Sequence, residues 1–422
     1  MLPGTKKAKD VIIVGGGIGG FTLALALQQA GLSCRIYEAS PDIKAIGVGV
    51  SLLPHSVKVL TELGLQPELA RLAITTQETV FFNRFGQLVY RESTGRYAGY
   101  EWPQFQIHRG DLQMILLDAF KARAGADRLY TGWRCTGFDQ ESDGATAFFQ
   151  DATTGKELPP QHGSVVIACD GLHSVIRKQL HPAEGEPLYS GVNMWRGVTR
   201  WKPYLTGASF TRAGWLTPGK MVIYPIRDNI DAEGRQLINW VAEVTTPKYQ
   251  RRDWNRNGNL DDFIGVFEDW QFEWLDVAAM IRAADVILEF PMIDQNPLPW
   301  WSQGRVTLLG DAAHPMVPRG SNGAGQAILD ACALASALAE DTDPVTALKN
   351  YETQRLGPTA NVVLMNRKNP PDAILREVYL RSGDKPFQNI EDVISRDELL
   401  AISDGYKRAA GYDHGTLQDQ AR

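Results

Sequence analysis

Two strand–turn–helix segments near opposite ends of the chain leave few folds open. The first is Val11-Ile12-Ile13-Val14, then Gly15-x-Gly17-x-x-Gly20 and an apolar run from Phe21 to Ala30. The second spans residues 302–330. There a short apolar stretch, Val306 to Leu309, ends at Gly310-Asp311, and a loop with Pro315, Pro318, Gly320, Asn322 and Gly323 leads into an Ala/Leu helix. This layout puts one carboxylate and a row of backbone N–H groups at a helix N-terminus. It suits a ligand with both hydroxyls and a developing negative charge.

In the first segment the glycines follow a predicted strand and open a helix, and Glu38 ends the next strand, where a ribose hydroxyl needs an acceptor. The acid favours a nucleotide with free ribose hydroxyls, FAD or NAD rather than NADP. Two cofactor signatures so far apart imply one long cofactor held from both ends, and FAD answers that description. A third segment, Val165 to Arg177, puts Asp170 at the C-terminal end of a parallel strand, the edge where ligands sit in doubly wound sheets. A buried Asp capping the following turn explains that pattern equally well.

Composition narrows the function classes. With 422 residues, 44% apolar and 22% charged, the chain has room for about two or three domains and is not disordered. A net charge of -6 without a long Lys/Arg block gives no electrostatic reason to expect nucleic-acid binding. Cys34, Cys135, Cys169 and Cys332 are scattered, without metal-ligand spacing, and read as reduced thiols of a cytoplasmic protein with no metal site. Lys6, Lys7 and Lys9 precede an apolar stretch reaching Ala24-Leu25-Ala26, superficially a signal peptide. The five glycines within residues 15–20 make a poor apolar core for one. No uninterrupted apolar run of about 20 residues is present, so no transmembrane helix is expected.

Along the chain, patterning predicts helices over 18–30, 54–63, 109–124 and 343–367, and a glycine-bearing loop over 42–50. Residues 75–92 alternate around Phe85-Gly86-Gln87 and read as a hairpin; further strands are expected at 129–138, 144–150 and 165–169. Residues 186–292 read as a β-rich, aromatic sheet with one buried face. The fold class is α/β: a Rossmann-like FAD-binding domain from 1–74, 93–185 and 293–368, an inserted β-rich substrate domain from 75–92 and 186–292, and a helical C-terminal tail over 369–422. Trp195, Tyr224 and Trp240 are candidates for a flat pocket wall, with ordinary sheet core the alternative. Arg196 answers either a substrate carboxylate or a structural ion pair.

The three motifs, in this order and spacing over residues 10–365, resemble the single-component FAD-dependent aromatic hydroxylases, the group A flavoprotein monooxygenases of the para-hydroxybenzoate and salicylate hydroxylase type. Within that family, residues 107–117, 194–199, 253–258 and 291–299 are similar to the 5-methylphenazine-1-carboxylate monooxygenase branch. By this resemblance Gly15, Gly17, Ile18 and Gly20 form the ADP fingerprint. Asp170-Gly171 with Ser174 and Arg177 form a motif linked to FAD and NAD(P)H, and Asp311 contacts the ribityl chain. Arg109 reaches the FAD, the loop from Gly47 through Gly49 and Val50 lies along the isoalloxazine, and the amides of Gly323 and Ala324 face its N1/C2 edge. Pro318 borders the substrate pocket. His314 is either a general base or a loop-positioning residue. Gly325 departs from the Asn of many members, and Arg319 stands out in the same loop.

The resemblance implies hydroxylation of an aromatic or N-heteroaromatic compound, with or without loss of a ring carboxylate, using NADH or NADPH and O₂ through a C4a-hydroperoxyflavin. The reduced nicotinamide then binds in a groove without a fingerprint of its own, and the enzyme is a monomer or homodimer. Two other readings are a flavin-dependent halogenase, whose W-x-W-x-I-P segment is missing here, and a flavin oxidoreductase that inserts no oxygen.

Overall fold

The computed structural model describes residues 10–45, 47–246 and 257–419. Lys6, Lys7, Lys9 and most of the 253–258 segment lie outside the described residues.

Five parallel strands form the nucleotide sheet in the order Val306–Leu308, Val165–Ala168, Asp10–Val14, Ser33–Glu38, Leu129–Thr131. The central ones are continuous apolar runs because both faces are covered. On one side helix Ile18–Gln29 packs against helices Arg109–Ala124 and Gly323–Glu340. On the other lies a three-stranded antiparallel sheet, Trp133–Gln140, Ala145–Asp151 and Glu157–Gly163, whose Phe149 stacks on Tyr37.

Residues 42–50, expected as loop throughout, end in a strand. Gly49–Leu52 pairs antiparallel with Phe105–His108, which also holds Ile74–Thr75. The partner is remote in sequence, so local glycine content concealed the pairing.

The large sheet has seven strands in the order Ile287–Asp294, Leu188–Trp201, Gln236–Thr245, Lys220–Arg227, Ser209–Gly214, Glu78–Phe82, Leu88–Ser93. The early hairpin therefore completes it, through a parallel pairing of Glu78–Phe82 with Ser209–Gly214. Both faces are buried, against the expectation of one. Met194, Phe210, Val222, Tyr224, Val241 and Met292 pack with Val317 on the side of the nucleotide domain. Trp195, Met221, Ile223 and Trp240 pack on the far side against Phe263, Phe267, Trp270 and Met280. Residues 260–282 supply that second cover through short 3-10 turns and helix Val277–Arg282.

After the long helix Pro344–Lys368, the C-terminal segment forms helices Ala373–Ser382, Arg396–Ala410 and His414–Asp419. The second starts with a capping box from Ser395 and Glu398. Ile374, Leu375, Val378, Ile394 and Leu399 pack against Phe81, Val89 and Tyr90 of the hairpin.

Candidate active site

The first glycine turn closes tightly at two positions and stays open at a third. Gly15 has φ +107°, and a Cβ there would sit 2.3 Å from the Cys169 carbonyl oxygen; one at Gly20 would sit 2.1 Å from that of Gly15. Both close approaches require glycine. A Cβ on Gly17, by contrast, would meet nothing within 4 Å, and helix Ile18–Gln29 carries no side-chain cap. Its first amides are thus free for a pyrophosphate. Glu38 stands beside the turn, accepting from the Gly16 amide at 2.6 Å and the Ser40 amide at 2.7 Å.

Asp170 does cap the following helix, accepting from the Val175 amide at 3.1 Å, but its Oδ1 is buried with no partner. Burial pushes this carboxyl up to about 6, against hydrogen bonds from Ser174 and backbone amides. Arg177 is buried, pairs with Glu184, and donates to the Ala312 and Ala313 carbonyls at 2.9 and 2.8 Å. The two motifs at 170–177 and 310–314 are therefore bolted together. Asp311 is exposed, with Oδ1 3.9 Å from where a Cβ on Gly323 would lie, at the start of the next helix.

His314 is not placed as a general base. It is 3% exposed, and its Nε2 lies 2.5 Å from Asp330 Oδ2. Asp330 also accepts from the Gly310 amide and from Arg355 Nε at 2.7 Å. Burial alone would raise this carboxyl, but His314 and Arg355 hold it below the usual carboxylate range. The imidazole is a fastener between the loop and the helix behind it.

Beyond His314, Pro318, itself exposed, opens a short turn that ends at Ser321, whose φ of +53° is left-handed. Arg212 steadies this turn from the large sheet, donating to the Arg319 carbonyl at 2.9 Å and to Ser321 Oγ at 3.3 Å. Helix Gly323–Glu340 then begins without a side-chain cap, leaving the Gly323 and Ala324 amides at its positive end. Gly325 has a local reason: a Cβ there would fall 2.6 Å from Asn322 Oδ1 and 3.3 Å from His55 Nε2. Those two side chains hydrogen-bond at 3.0 Å, and Tyr412 stacks on His55 with ring centroids 5.4 Å apart. Burial pushes the His55 imidazole down to about 3, so it is neutral.

On the opposite wall, Gly49 donates its amide to Asn239 Oδ1 at 2.7 Å, and a Cβ there would meet the Tyr224 ring at 2.5 Å. Arg196 reaches the Gly49 carbonyl at 3.3 Å and hydrogen-bonds Tyr224. It has no acidic partner among the described residues, so the structural ion pair is not formed. Burial, and then the Arg109 charge nearby, hold its guanidinium below the usual arginine value. Arg109 starts its helix with an exposed side chain beside Gly47 and donates its amide to the Val48 carbonyl at 2.9 Å.

Tyr224, Gly49, Val50, Arg196 and the 318–324 loop thus converge on one side of the large sheet. Trp195 and Trp240 do not. One residue out of phase with Arg196 and Asn239, they point into the far-side core, where Trp195 stacks on Phe263 and Trp240 Nε1 donates to Thr199. Sequence reasoning missed His55, Arg212 and Asn322, whose partners lie far away in the chain.

These features fit FAD: free amides at two helix starts, an acid at the ribose position, and buried unpaired polar atoms on Asp170 and Asn322 between them. Among the described residues no helix is long and apolar enough to cross a membrane, and no group of His, Cys, Asp and Glu could hold a metal ion.

The profile of the FAD binding domain family matches residues 8–203 and 292–366. The phenazine 1,6-dicarboxylic acid hydroxylase of Lysobacter antibioticus is 40% identical over 367 residues, covering 86% of this chain and 90% of that protein. A 3-amino-4-hydroxybenzoate 2-monooxygenase of Streptomyces platensis is 33% identical, covering 90% and 91%. A salicylate hydroxylase in complex with substrate shares the fold with a TM-score of 0.74 at 22% identity, over 99% of both chains. Klebsiella pneumoniae HpxO, solved with FAD and uric acid, does so at 0.72 and 23%, over 99% of this chain and 96% of that one. FAD is the cofactor and NAD(P)H the co-substrate. The chain belongs to the FAD binding domain family and, within it, to the FAD-dependent aromatic hydroxylases.

Proposed function

We propose that this enzyme hydroxylates a planar aromatic or N-heteroaromatic carboxylic acid, with O₂ as the oxygen source, and that Arg196 receives the substrate carboxylate. The observation that carries the reading is a half-buried guanidinium on the nucleotide-domain side of the sheet, its Nε shut from solvent without an acceptor, hydrogen-bonded to a carbonyl and a phenol but, among the described residues, to no acid. Withdrawing a cation from water with no acid in contact is costly, and a carboxylate ligand relieves that cost. The names of the curated relatives point the same way, toward a phenazine dicarboxylic acid and an aminohydroxybenzoate.

FAD, when bound, accepts the hydride and activates oxygen; the chain supplies position and charge. Gly15, Gly17, Ile18, Gly20 and Glu38 would hold the ADP half, with Asp311 and Arg109 nearer the flavin. Gly49 and Val50 would lie along the ring system. The amides of Gly323 and Ala324 would face negative charge at the helix start. Tyr224, whose phenol burial holds protonated, keeps Arg196 in place and offers a flat neighbour to an aromatic ring. Pro318 borders the space between loop and sheet. A carboxylate held by Arg196 next to the attacked carbon would leave as CO₂ if hydroxylation occurs at the carbon that bears it. The enzyme acts in the cytoplasm as a monomer or homodimer.

The test is a screen of phenazine carboxylates, hydroxybenzoates and pyridine carboxylates for stimulated NAD(P)H oxidation, with product mass and ¹⁸O₂ incorporation measured. A product one oxygen heavier, or with a hydroxyl in place of a carboxylate, is expected. Stimulated oxidation that yields only hydrogen peroxide with every acid would overturn the reading.

A further inference from the structure

Arg212, Lys220 and Arg319 lie where the 318–321 turn meets the large sheet, and Arg196 lies three strands from Arg212. Two are neutralised inside the protein. Arg212 pairs with Asp372, and Lys220 Nζ lies 2.5 Å from the other Asp372 oxygen and 2.7 Å from Glu243 Oε1, all of them buried. Arg196 and Arg319 have no such partner among the described residues. Arg319 is half-buried and its Nε is shut from solvent; among the described residues its side chain has no acceptor. Its backbone, by contrast, is fixed, because Arg212 holds its carbonyl at 2.9 Å. Asp372 and Glu243 answer Arg212 and Lys220, whereas neither Arg196 nor Arg319 forms an ion pair with an acid among the described residues.

We propose that Arg319 binds a second anionic group of the substrate, making the preferred substrate a planar N-heteroaromatic dicarboxylate gripped at both ends. This rests on the reading of Arg196 given above. A continuous row of contacts joins the two positions. Arg196 bonds Tyr224, Tyr224 stacks on Phe210 at 4.9 Å, the Arg212 guanidinium lies 5.0 Å over Phe210, and Arg212 holds the Arg319 backbone. Three strand spacings, about 14 Å, separate the Arg196 strand from the Arg212 strand. A two- or three-ring acid laid along the Tyr224 and Phe210 side of the sheet would span much of that interval. A monoacid leaves Arg319 unanswered, and the charge-assisted contact makes the diacid bind roughly tenfold or more tightly.

The experiment titrates FAD-loaded enzyme with phenazine-1,6-dicarboxylate and with phenazine-1-carboxylate, following perturbation of the flavin absorbance. Wild type, Arg319→Met and Arg319→Lys are compared at equal FAD content. Wild type is expected to favour the dicarboxylate by about tenfold or more. The Met variant brings the ratio of the two dissociation constants close to one, and the Lys variant retains part of the preference. Should the preference persist in both variants, or should Arg319→Met raise the KM for NAD(P)H and leave the ratio alone, Arg319 does not read the substrate. Binding of the monocarboxylate without any preference in wild type overturns the second contact and leaves the Arg196 reading standing; binding of neither compound overturns both.

Discussion

Arg212 and Asp372, separated by 160 residues, form a buried ion pair that joins the large sheet to the start of the C-terminal helices. The same arginine holds the turn that leads into the Gly323 and Ala324 amides at their helix start. The C-terminal segment therefore helps set this loop, although no residue beyond 368 belongs to the nucleotide motifs.

Asp372→Asn leaves Arg212 and Lys220 with one buried carboxylate between them. We expect a stability loss of about 3–5 kcal/mol, read as a lower thermal midpoint, with FAD released at lower urea concentration. Burial would raise the Asp372 carboxyl, but Arg212 and Lys220 hold it below the usual range. Its contribution is thus present above the ordinary carboxylate value and lost as pH falls through the folded value, below about pH 4. Acid destabilisation should be shallower in the variant; equal slopes would contradict the assignment.

His314→Ala removes the fastener and leaves Asp330 with Arg355 and the Gly310 amide. A loss of about 3–5 kcal/mol is expected for breaking a buried pair, together with weaker FAD retention. The pH profile of turnover per bound flavin should keep its wild-type shape. Disappearance of one limb of that profile would restore His314 as a proton carrier.

Asp170 offers a pH test of opposite sign. Its carboxyl, pushed up to about 6, gives up its proton less readily in the folded protein than in the unfolded chain. It therefore costs stability as pH rises from the ordinary carboxylate value toward 6, and that cost is complete above 6. In thermal melts Asp170→Asn should gain on wild type between pH 4 and pH 6.5. A difference independent of pH would show that the carboxyl titrates normally.

Trp240→Phe deletes far-side packing and the bond to Thr199. A loss of about 1–3 kcal/mol is expected, with the KM for aromatic substrate within about twofold of wild type, since one tenfold step is 1.4 kcal/mol. A large KM rise in well-folded variant would put Trp240 back at the pocket.

What could be read in advance was local. Gly15, Gly17 and Gly20 follow an apolar strand and carry their own geometric reason, and the hairpin announced itself by alternation around Gly86. The phase of Trp195, Arg196, Trp240 and Asn239 was also visible, but not which phase faces the nucleotide domain. That depends on Val317 and Gly49 arriving from distant segments. The second cover of the sheet was hidden because residues 260–282 build it from turns rather than a long periodic helix. Arg212 and Asp372 carry no local signal at all, since each looks like an ordinary charged residue until the other is beside it.

The packing of Ile374, Leu375 and Val378 on the early hairpin has a consequence for biosynthesis. The outer hairpin of the seven-stranded sheet is made before residue 100, yet the cover of one of its faces is translated only after residue 370. While the ribosome works through the intervening stretch, an apolar sheet face stays unshielded and open to association with other nascent chains. A stop codon just after residue 368 would spare every nucleotide motif and still send the product into inclusion bodies.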